Sequence, residues 1–459
     1  MNLEQINKVY FIGIGGIGMS AIARFFKSRG CAVAGYDRFE TALTAQLLAE
    51  GIAVTYTDSA AEIPAAFRSV SDDLLVVYTP SVPVTTAVHQ FFIQGKFSLY
   101  KRAQVLGFIS LNHKVLAVAG THGKTTTSIM LAHLLKSAGI AVSAFLGGIS
   151  VNYNTNYIGG DSEWVVVEAD EYDRSFLTLY PAAAVITSMD ADHLDIYGDL
   201  SAMNESYNQF ASQVDSEGLL LVHTGLPVVR DFIPYGTGPD AAVRAENIRV
   251  QDRAFYFDYH DQGRQIPAIR MKSPGVHNIE NATAAMRLAA TAGLTDSQLK
   301  AGIESFSGVK RRFEYIVSTS DHVYIDDYAH HHEELRALVH TLKLLFPDKP
   351  LTLVFQPHLF SRTRDFFREM AAVLSQADTL ILLEIYPARE EPIVGISSAL
   401  ILNEAVNQHR FIMSKDELLR YVKENRPVLL VTAGAGDIDS LVSPLGESLS
   451  GERSIYGQH

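Results

Sequence analysis

Runs of apolar, β-branched residues alternate with amphipathic stretches rich in alanine and leucine along the whole chain. This alternation is typical of successive βα units, whose strands lie side by side in parallel sheets. The first unit reads as a strand over residues 8–14, a glycine turn over 13–18 and a helix over 19–29. The pattern predicts an α/β fold.

The length indicates several domains. At about 150 residues per domain, a chain of 459 residues corresponds to about three. Residues 101–112 read as the passage into a second domain, and a further boundary falls near the basic stretch 310–312. Residues 235–272 are more polar, with short alternating segments that suit antiparallel strands. We predict domains over residues 1–104, 105–311 and 312–459.

Charge and cysteine content limit the classes of function. The chain has 38 lysines and arginines against 51 aspartates and glutamates, a formal charge of −13, so no global positive field attracts nucleic acid or anionic lipid. Cys31 is the single cysteine, which excludes an intrachain disulfide and a cysteine-based zinc or iron–sulfur site. No basic stretch precedes an apolar run near Met1, and no apolar segment reaches about 18 residues. We expect a cytoplasmic protein that is neither secreted nor inserted in a membrane.

The first glycine loop follows the first predicted strand and fits the pattern G-x-G-x-x-G through Gly13, Gly15 and Gly18. Asp37 stands at the end of the next predicted strand, about 20 residues on, as in dinucleotide-binding units. A Cβ on these glycines would hold the backbone away from a pyrophosphate at the helix N-terminus. The loop predicts a diphosphate ligand, as in a nicotinamide or flavin enzyme. A tight turn that serves only helix packing is the alternative.

The second glycine loop also lies between a predicted strand and a predicted helix, with the sequence Gly120-Thr121-His122-Gly123-Lys124-Thr125-Thr126-Thr127. Backbone amides of such a loop cradle phosphates, Lys124 can reach the outer phosphates, and the Thr125 hydroxyl can ligate Mg²⁺. Val118 stands where the usual spacing has its first glycine. Nucleotide binding is predicted, with a basic helix start as the alternative. The two loops together imply two phosphorylated ligands.

Eight motifs resemble, in order, those of the Mur ligase family, ATP-dependent amide-forming enzymes of peptidoglycan synthesis. The resemblance spans essentially the whole chain and implies a Rossmann-like N-terminal domain, a P-loop ATPase-like central domain and a Rossmann-like C-terminal domain. The motifs are Gly13-Ile14-Gly15-Gly16-Ile17-Gly18-Met19-Ser20, the loop 120–127, Glu168-Ala169-Asp170-Glu171, Asp192-His193-Leu194-Asp195, His277-Asn278-Ile279-Glu280-Asn281, Arg311-Arg312-Phe313-Glu314, Asp326-Asp327-Tyr328-Ala329-His330-His331, and Phe355-Gln356-Pro357-His358 with Ser361-Arg362-Thr363-Arg364.

The chemistry of such a ligase requires cations. Joining a carboxylate to an amine in water is uphill, so the carboxylate first becomes an acyl phosphate, and the charge on two approaching anions must be screened. The resemblance implies that Lys124, Glu168, His193 and Arg312 are catalytic and that Thr125, Glu168 and His193 hold metal, with ATP and Mg²⁺ required. From the residues alone, a loop histidine capped by Asp192 or Asp195 is the favoured interpretation of His193, and a solvated basic surface is the alternative for Arg312.

The resemblance also assigns binding residues for three ligands. Those for ATP are Gly120, Thr121, His122, Gly123, Lys124, Thr125, Thr126, Asn278, Asn281, Arg312 and Asp327. Those for the UDP-sugar are Gly15, Gly16, Ile17, Gly18, Met19, Ser20, Asp37 and His277. Those for the amino acid are Tyr328, His330 and Arg362. Without the family, Asn278 and Asn281 read equally well as N-terminal caps of a helix.

Within the family, the first loop and residues 386–392 resemble the branch that joins L-alanine to the lactyl carboxylate of UDP-N-acetylmuramate. A recycling ligase that adds a murein tripeptide to the same sugar nucleotide is the near alternative. His332 stands where the family usually has proline, and residues 203–214 lack the lysine that is carbamylated in several sister ligases. A nicotinamide-dependent oxidoreductase and a non-catalytic nucleotide-gated switch are the alternatives of other classes. We expect a monomer or a homodimer with no nucleic-acid partner.

Overall fold

A computed structural model describes residues 3–160, 162–190, 197, 199–388 and 390–450. The chain divides into two compact units. The first unit consists of Met1–Ile248, Tyr256–Met271 and Val276–Ser307, and the second of Arg249–Phe255, Lys272–Gly275 and Gly308–His459. The described residues form three sheets, and most neighbouring strands in them are parallel, which confirms the predicted α/β class.

The first sheet is parallel and has the strand order β3-β2-β1-β4-β5. Its strands are β1 (Lys8–Ile12), β2 (Ala32–Tyr36), β3 (Ala53–Thr55), β4 (Leu74–Tyr78) and β5 (Leu99–Lys101). The helices that follow them are α1 (Ile17–Ser28), α2 (Ala42–Ala49), α3 (Ala87–Gln94) and α4 (Arg102–Ser110). Because β1 is covered on both faces, four of its five residues are buried and its sequence is nearly all apolar.

The second sheet has the order β15-β14-β13-β12-β11-β10-β6-β9-β7-β8. Its strands are β6 (Lys114–Ala119), β7 (Ser143–Ser150), β8 (Thr155–Ile158), β9 (Trp164–Glu168), β10 (Pro181–Ile186), β11 (Leu219–His223), β12 (Ile233–Gly236), β13 (Val243–Gln251), β14 (Ala254–Asp261) and β15 (Arg264–Met271). The accompanying helices are α5 (Lys124–Ser137), α6 (Leu200–Gln213), α7 (Val276–Thr291) and α8 (Asp296–Ser305). The polar stretch 235–272 thus supplies most of the strands β13, β14 and β15, which have 9, 8 and 8 residues and are longer than the short segments that the sequence predicted.

One apolar core joins the first two sheets. Val9 and Phe11 of β1 belong to the same buried cluster as Val115 of β6 and Val165 of β9. The ring of Phe25 in α1 lies 5.4 Å, centroid to centroid, from that of Phe145 in β7. This shared core holds the two glycine loops, which follow β1 and β6, in fixed positions relative to each other.

The third sheet lies in the second unit and has the order β16-β17-β21-β18-β19-β20, with β16 antiparallel to β17 and the other pairs parallel. Its strands are β16 (Glu314–Ser318), β17 (Val323–Asp327), β18 (Leu351–Phe355), β19 (Thr379–Leu382), β20 (His409–Ile412) and β21 (Leu429–Ala433). Its helices are α9 (His332–Leu345), α10 (Phe360–Leu374), α11 (Ser398–Glu404), α12 (Lys415–Asn425) and α13 (Val442–Ser450).

Short 3₁₀ helices complete the secondary structure at Leu3–Gln5, Ala60–Glu62, Ala65–Phe67, Tyr172–Thr178 and Asp437–Leu441. The longest helix in the described part of the chain, α7, has 16 residues. Among the helices between residues 3 and 450 that the structure describes, none combines the length and apolar character that a bilayer crossing requires.

Candidate active site

The second glycine loop connects β6 to α5, and its glycines adopt conformations that other residues rarely adopt. Gly120 has a φ of +136° and Gly123 a φ of +81°. A Cβ on Gly123 would lie 2.6 Å from Oδ1 of Asn281, and one on Gly120 would collide with the Thr187 hydroxyl. These two positions therefore require glycine, because a side chain would both strain the backbone and displace a neighbour.

The two residues that follow β10, Thr187 and Ser188, form hydrogen bonds with the loop. Thr187 donates from its hydroxyl to the carbonyl oxygens of Ala119 and His122. The Ser188 hydroxyl accepts from the His122 amide at 2.7 Å and lies 2.9 Å from the Thr121 hydroxyl. The backbone that would cradle phosphates is thus held rigidly before any ligand arrives.

Lys124, the first residue of α5, forms a buried ion pair. Its ammonium lies 2.8 Å and 2.7 Å from the two carboxylate oxygens of Glu171, whose side chain is 1 % exposed. The same ammonium donates to the Gly120 carbonyl. The Tyr197 hydroxyl donates to the Glu171 carbonyl oxygen at 2.6 Å and supports this segment. The lysine is therefore held beside the loop that it is predicted to serve.

Thr125 and Glu168 form a second pair at the carboxyl ends of β6 and β9. The Thr125 hydroxyl donates to Glu168 Oε1 at 2.9 Å, and the Gly147 amide donates to Oε2 at 2.9 Å. Burial raises the pKa of the Glu168 carboxyl, and the charge of Lys124 partly opposes this effect. A partly buried carboxylate beside a hydroxyl offers the hard oxygen donors that Mg²⁺ prefers. His193, the third predicted metal ligand, lies outside the described residues.

Helix α7 brings an asparagine pair to the same loop. Asn281 Nδ2 donates to Asn278 Oδ1 at 3.3 Å, and Asn281 Oδ1 lies against Gly123. Both asparagines are buried, with 9 % and 7 % exposure for Asn278 and Asn281. His277 is exposed in the first turn of α7. The structure thus places Asn281 in contact with the phosphate loop, which is where a residue that binds ATP would lie.

The first glycine loop lies between β1 and α1. The Gly15 amide donates to Asp37 Oδ2 at 2.7 Å, so the predicted aspartate meets the predicted loop. Gly16 and Ile17 are exposed at its rim, whereas Met19 and Ser20 are buried in α1. The Ser20 hydroxyl donates to the Ile17 carbonyl at 3.0 Å and accepts from the Asn156 amide at 2.9 Å.

In the second unit, two arginines flank the end of β17. Arg311 lies 3.1 Å from the fully buried Asp326, whereas the Arg312 guanidinium stacks 5.1 Å from the Tyr328 ring centroid and is 41 % exposed. The Asp327 carboxylate accepts from the amides of Phe313 and Ala329, each at 2.7 Å. Burial raises the pKa of Asp327 to about 6, although the charge of Arg312 opposes this.

Tyr328 and His330 belong to a cluster of aromatic and basic side chains. The His330 ring lies 5.3 Å from that of Tyr328 and 5.7 Å from that of His358. Burial lowers the pKa of His330, and burial together with the charges of His330 and Arg362 lowers that of His358 to about 4. Within the described residues, the buried Nη1 of Arg362 has no hydrogen-bond partner. This cluster is therefore suited to an anionic group.

Comparison with known proteins gives a consistent result over the whole chain. The chain matches the Mur ligase family catalytic domain over residues 8–112, the Mur ligase middle domain over 118–289 and the Mur ligase glutamate ligase domain over 311–436. It is 47 % identical over 454 residues to the UDP-N-acetylmuramate–L-alanine ligase of Cytophaga hutchinsonii, covering 97 % of each chain. The protein of the same name from Porphyromonas gingivalis is 46 % identical over 97 % of this chain and 99 % of its own.

The chain belongs to the Mur ligase family.

Solved structures agree with this assignment. The UDP-N-acetylmuramate–alanine ligase of Thermotoga maritima superposes with a TM-score of 0.82 at 27 % identity, covering 97 % of this chain and 99 % of its own. A murein peptide ligase from Psychrobacter arcticus shares the fold, with a TM-score of 0.68 at 21 % identity over 98 % of this chain and all of its own. The predicted three-domain α/β architecture of a Mur ligase enzyme is confirmed.

The described geometry of this Mur ligase brings the predicted site residues together in groups. Lys124 and Thr125 lie with Glu168 at the phosphate loop, and Asn281 touches the same loop at Gly123. His122 is exposed on the loop and Thr126 is partly exposed in the first turn of α5. The residues of the second unit form the groups around Tyr328 described above.

Several residues that contact the loops of this Mur ligase were not predicted as site residues. Glu171 lies within the motif 168–171. Its position three residues after Glu168 does not indicate that it pairs with Lys124. Thr187 and Ser188 directly follow a buried strand, at the edge of the sheet where parallel sheets bind ligands. That position is the signal that could have identified them.

Proposed function

We propose that this Mur ligase joins L-alanine to the lactyl carboxylate of UDP-N-acetylmuramate, converting ATP to ADP and phosphate, in the synthesis of peptidoglycan precursors. The observation that carries this proposal is the arrangement of Lys124, Thr125 and Glu168 around a preformed phosphate loop. Curated relatives that are 44–47 % identical to this chain over 97–99 % of their own length are all named UDP-N-acetylmuramate–L-alanine ligase, and this name supports the choice of substrates.

The reaction proceeds in two transfers. A lactyl carboxylate oxygen attacks the γ-phosphorus of ATP, the bond to the bridging oxygen of ADP breaks, and an acyl phosphate forms. The neutral amine of alanine then attacks the acyl carbon, and inorganic phosphate leaves as the amide bond forms, with the proton that the amine nitrogen loses balanced on the phosphate. Lys124 screens the charge of the phosphate oxygens, and the rigid loop amides orient them.

The residues at the phosphate loop fit a divalent cation. Glu168 is a partly buried carboxylate whose pKa is raised by burial although the charge of Lys124 opposes this, and the Thr125 hydroxyl adjoins it, so a cation beside the two oxygens would stabilise the charged carboxylate. We propose that Thr125, Glu168 and His193 hold Mg²⁺ and that Gly120–Thr126, Asn278 and Asn281 bind ATP. The ion would supply neutralisation of charge on the phosphates.

We assign the sugar nucleotide to the first domain, at Gly15, Gly16, Ile17, Gly18, Met19, Ser20 and Asp37, with His277 from the second. The exposed rim formed by Gly16 and Ile17 supports this assignment because it opens the N-terminus of α1, where an anion is favoured, to solvent. The proposed domain limits are residues 1–104, 105–311 and 312–459.

We assign the amino acid to Tyr328, His330 and Arg362 of the third domain. A guanidinium nitrogen that is buried without a partner among the described residues suits the free carboxylate of alanine, which an arginine can bind through two parallel hydrogen bonds. The family resemblance implies that Arg312 binds the γ-phosphate of ATP and that Asp327 binds its ribose. We propose that the protein acts in the cytoplasm, because a reducing compartment suits a chain whose single cysteine is a free thiol.

The test is phosphate release by the purified protein with ATP, Mg²⁺ and UDP-N-acetylmuramate. We expect release to depend on L-alanine and the product to gain the mass of one alanine residue. Release only with L-alanyl-γ-D-glutamyl-diaminopimelate would instead identify the recycling ligase. No release with either acceptor, although both nucleotides bind, would favour a non-catalytic switch and contradict the proposal.

A further inference from the structure

The third glycine of the first loop makes room for an arginine. A Cβ built on Gly18 would lie 2.6 Å from Nη1 of Arg102 and 3.3 Å from its Cζ. Side chains of a helix tilt toward its N-terminus, so the guanidinium lies on the N-terminal side of the first turn of α1. That is the side on which an anion meets the free amides of a helix.

Arg102 begins α4 and is held by one carboxylate. Its Nη2 donates to Asp170 Oδ2 at 3.1 Å, and the two side chains are 25 % and 37 % exposed. Within the described residues this is the only hydrogen bond of the guanidinium. Its other N–H groups are therefore available to a ligand at the rim of the loop.

The neighbouring basic residue differs in its surroundings. Lys101 pairs with Asp173 at 3.0 Å, and both side chains are nearly half exposed. Two adjacent cations thus each pair with an aspartate of the segment after β9, but Arg102 is the one that lies against Gly18. Lys101 is therefore a matched control for any general effect of charge at this position.

We propose that Arg102 binds the diphosphate of the sugar nucleotide, and that Asp170 holds its guanidinium in position until the diphosphate replaces the carboxylate. This inference rests on the proposed function, which places a nucleoside diphosphate at the first loop. A planar guanidinium matches the oxygens of a phosphate better than a lysine ammonium does. A chain with a formal charge of −13 needs such a local cation to hold a polyanion.

The partner of Arg102 belongs to the segment that also contacts the second glycine loop. Asp170 lies between Glu168, which accepts from Thr125, and Glu171, which pairs with Lys124.

The test measures the binding of UDP and of uridine by calorimetry to the full chain and to variants. Arg102→Gln, which can still donate to Asp170, should weaken UDP binding by about tenfold or more, because a charge-assisted hydrogen bond is lost. Uridine, which has no phosphate, should bind equally to both proteins. Lys101→Gln should change UDP affinity by less than about twofold, because exposed charges contribute little.

Asp170→Asn separates a binding role from a structural one. If Arg102 binds the diphosphate, removing its competing carboxylate should leave UDP affinity unchanged or increase it. If the pair only braces the loop, Asp170→Asn and Arg102→Gln should weaken UDP binding alike, and the inference is overturned. Wild-type affinity in Arg102→Gln would also overturn it and leave the proposed function intact. A wild-type protein that binds no UDP would refute both.

Discussion

At the residue scale, the ion pair of Lys124 and Glu171 beside the phosphate loop affects both stability and activity. The Glu171 side chain is 1 % exposed and the Lys124 side chain 14 %. A buried charge that loses its partner is strongly destabilising, because it keeps the cost of desolvation without the compensating attraction. Lys124 therefore has two separable roles, as the partner of Glu171 and as the proposed cation for the phosphates of ATP.

Replacing Lys124 with methionine should abolish ligation and also lower the free energy of unfolding by about 3–5 kcal/mol, since the buried Glu171 carboxylate loses its ion pair with Lys124. In the double variant Lys124→Met with Glu171→Gln, most of the stability should return but not the activity. Urea unfolding and phosphate release measure the two effects. Equal stability of the single variant and the wild type would contradict the inferred energetics of the pair.

Arg362 provides a second prediction at this scale. Because its buried Nη1 lacks a partner among the described residues, Arg362→Met should raise the KM for L-alanine by about 10- to 100-fold through loss of a charge-assisted hydrogen bond. The KM for ATP should not change. Arg364, which is 53 % exposed and pairs with its neighbour Asp365, is the control, and Arg364→Met should behave as wild type. An unchanged KM for alanine in Arg362→Met would remove Arg362 from the amino-acid site.

At the scale of elements, α5 is attached at its middle as well as at its phosphate-binding end. His133, which is 4 % exposed, lies 2.9 Å from the Tyr153 hydroxyl and 3.0 Å from the Ser305 hydroxyl at the end of α8. Burial lowers the pKa of His133 to about 4 from its ordinary value of 6.5. The neutral ring therefore joins α5 to α8.

This lowered pKa predicts a pH dependence of stability. The unfolded chain takes up a proton on His133 near pH 6.5 and the folded chain only near pH 4. The neutral ring therefore makes its full contribution to the free energy of unfolding above pH 6.5, and this contribution is lost as the pH falls toward 4. The loss amounts to about 3 kcal/mol. His133→Gln should reduce the fall in unfolding free energy over this range by that amount, measured by urea unfolding at several pH values. The same slope in both proteins would contradict this.

The sequence predicted elements well where a single strand, loop and helix carry the signal. The two glycine loops, the helices that follow them and the contact of Asp37 with the first loop belong to this class. Contacts between distant segments could not be predicted, because chain pattern does not specify which side chains meet after folding. Glu171 is 47 residues from Lys124, and Arg102 is 68 from Asp170.

At the scale of the molecule, a buried polar network fastens α1 to the second sheet. Asn156 of β8 is fully buried, accepts from Arg24 of α1 and donates to the Ile17 carbonyl and the Ser20 hydroxyl. Arg24 in turn pairs with Glu50 at 2.8 Å. Together with the shared apolar core, this network makes the first two sheets one structural body, whereas the third sheet has a separate core.

Two compact units predict two unfolding transitions in calorimetry, and variants can assign each transition to its unit. Asn156→Ala removes hydrogen bonds that contribute about 1–3 kcal/mol and should lower only the transition of the first unit, by several degrees. Asp326→Asn weakens the contact with Arg311 and should lower only that of the second. UDP, which we place on the first unit, should raise the first transition alone, because a ligand stabilises the unit that binds it. A single transition that moves in both variants would mean that the two units unfold as one.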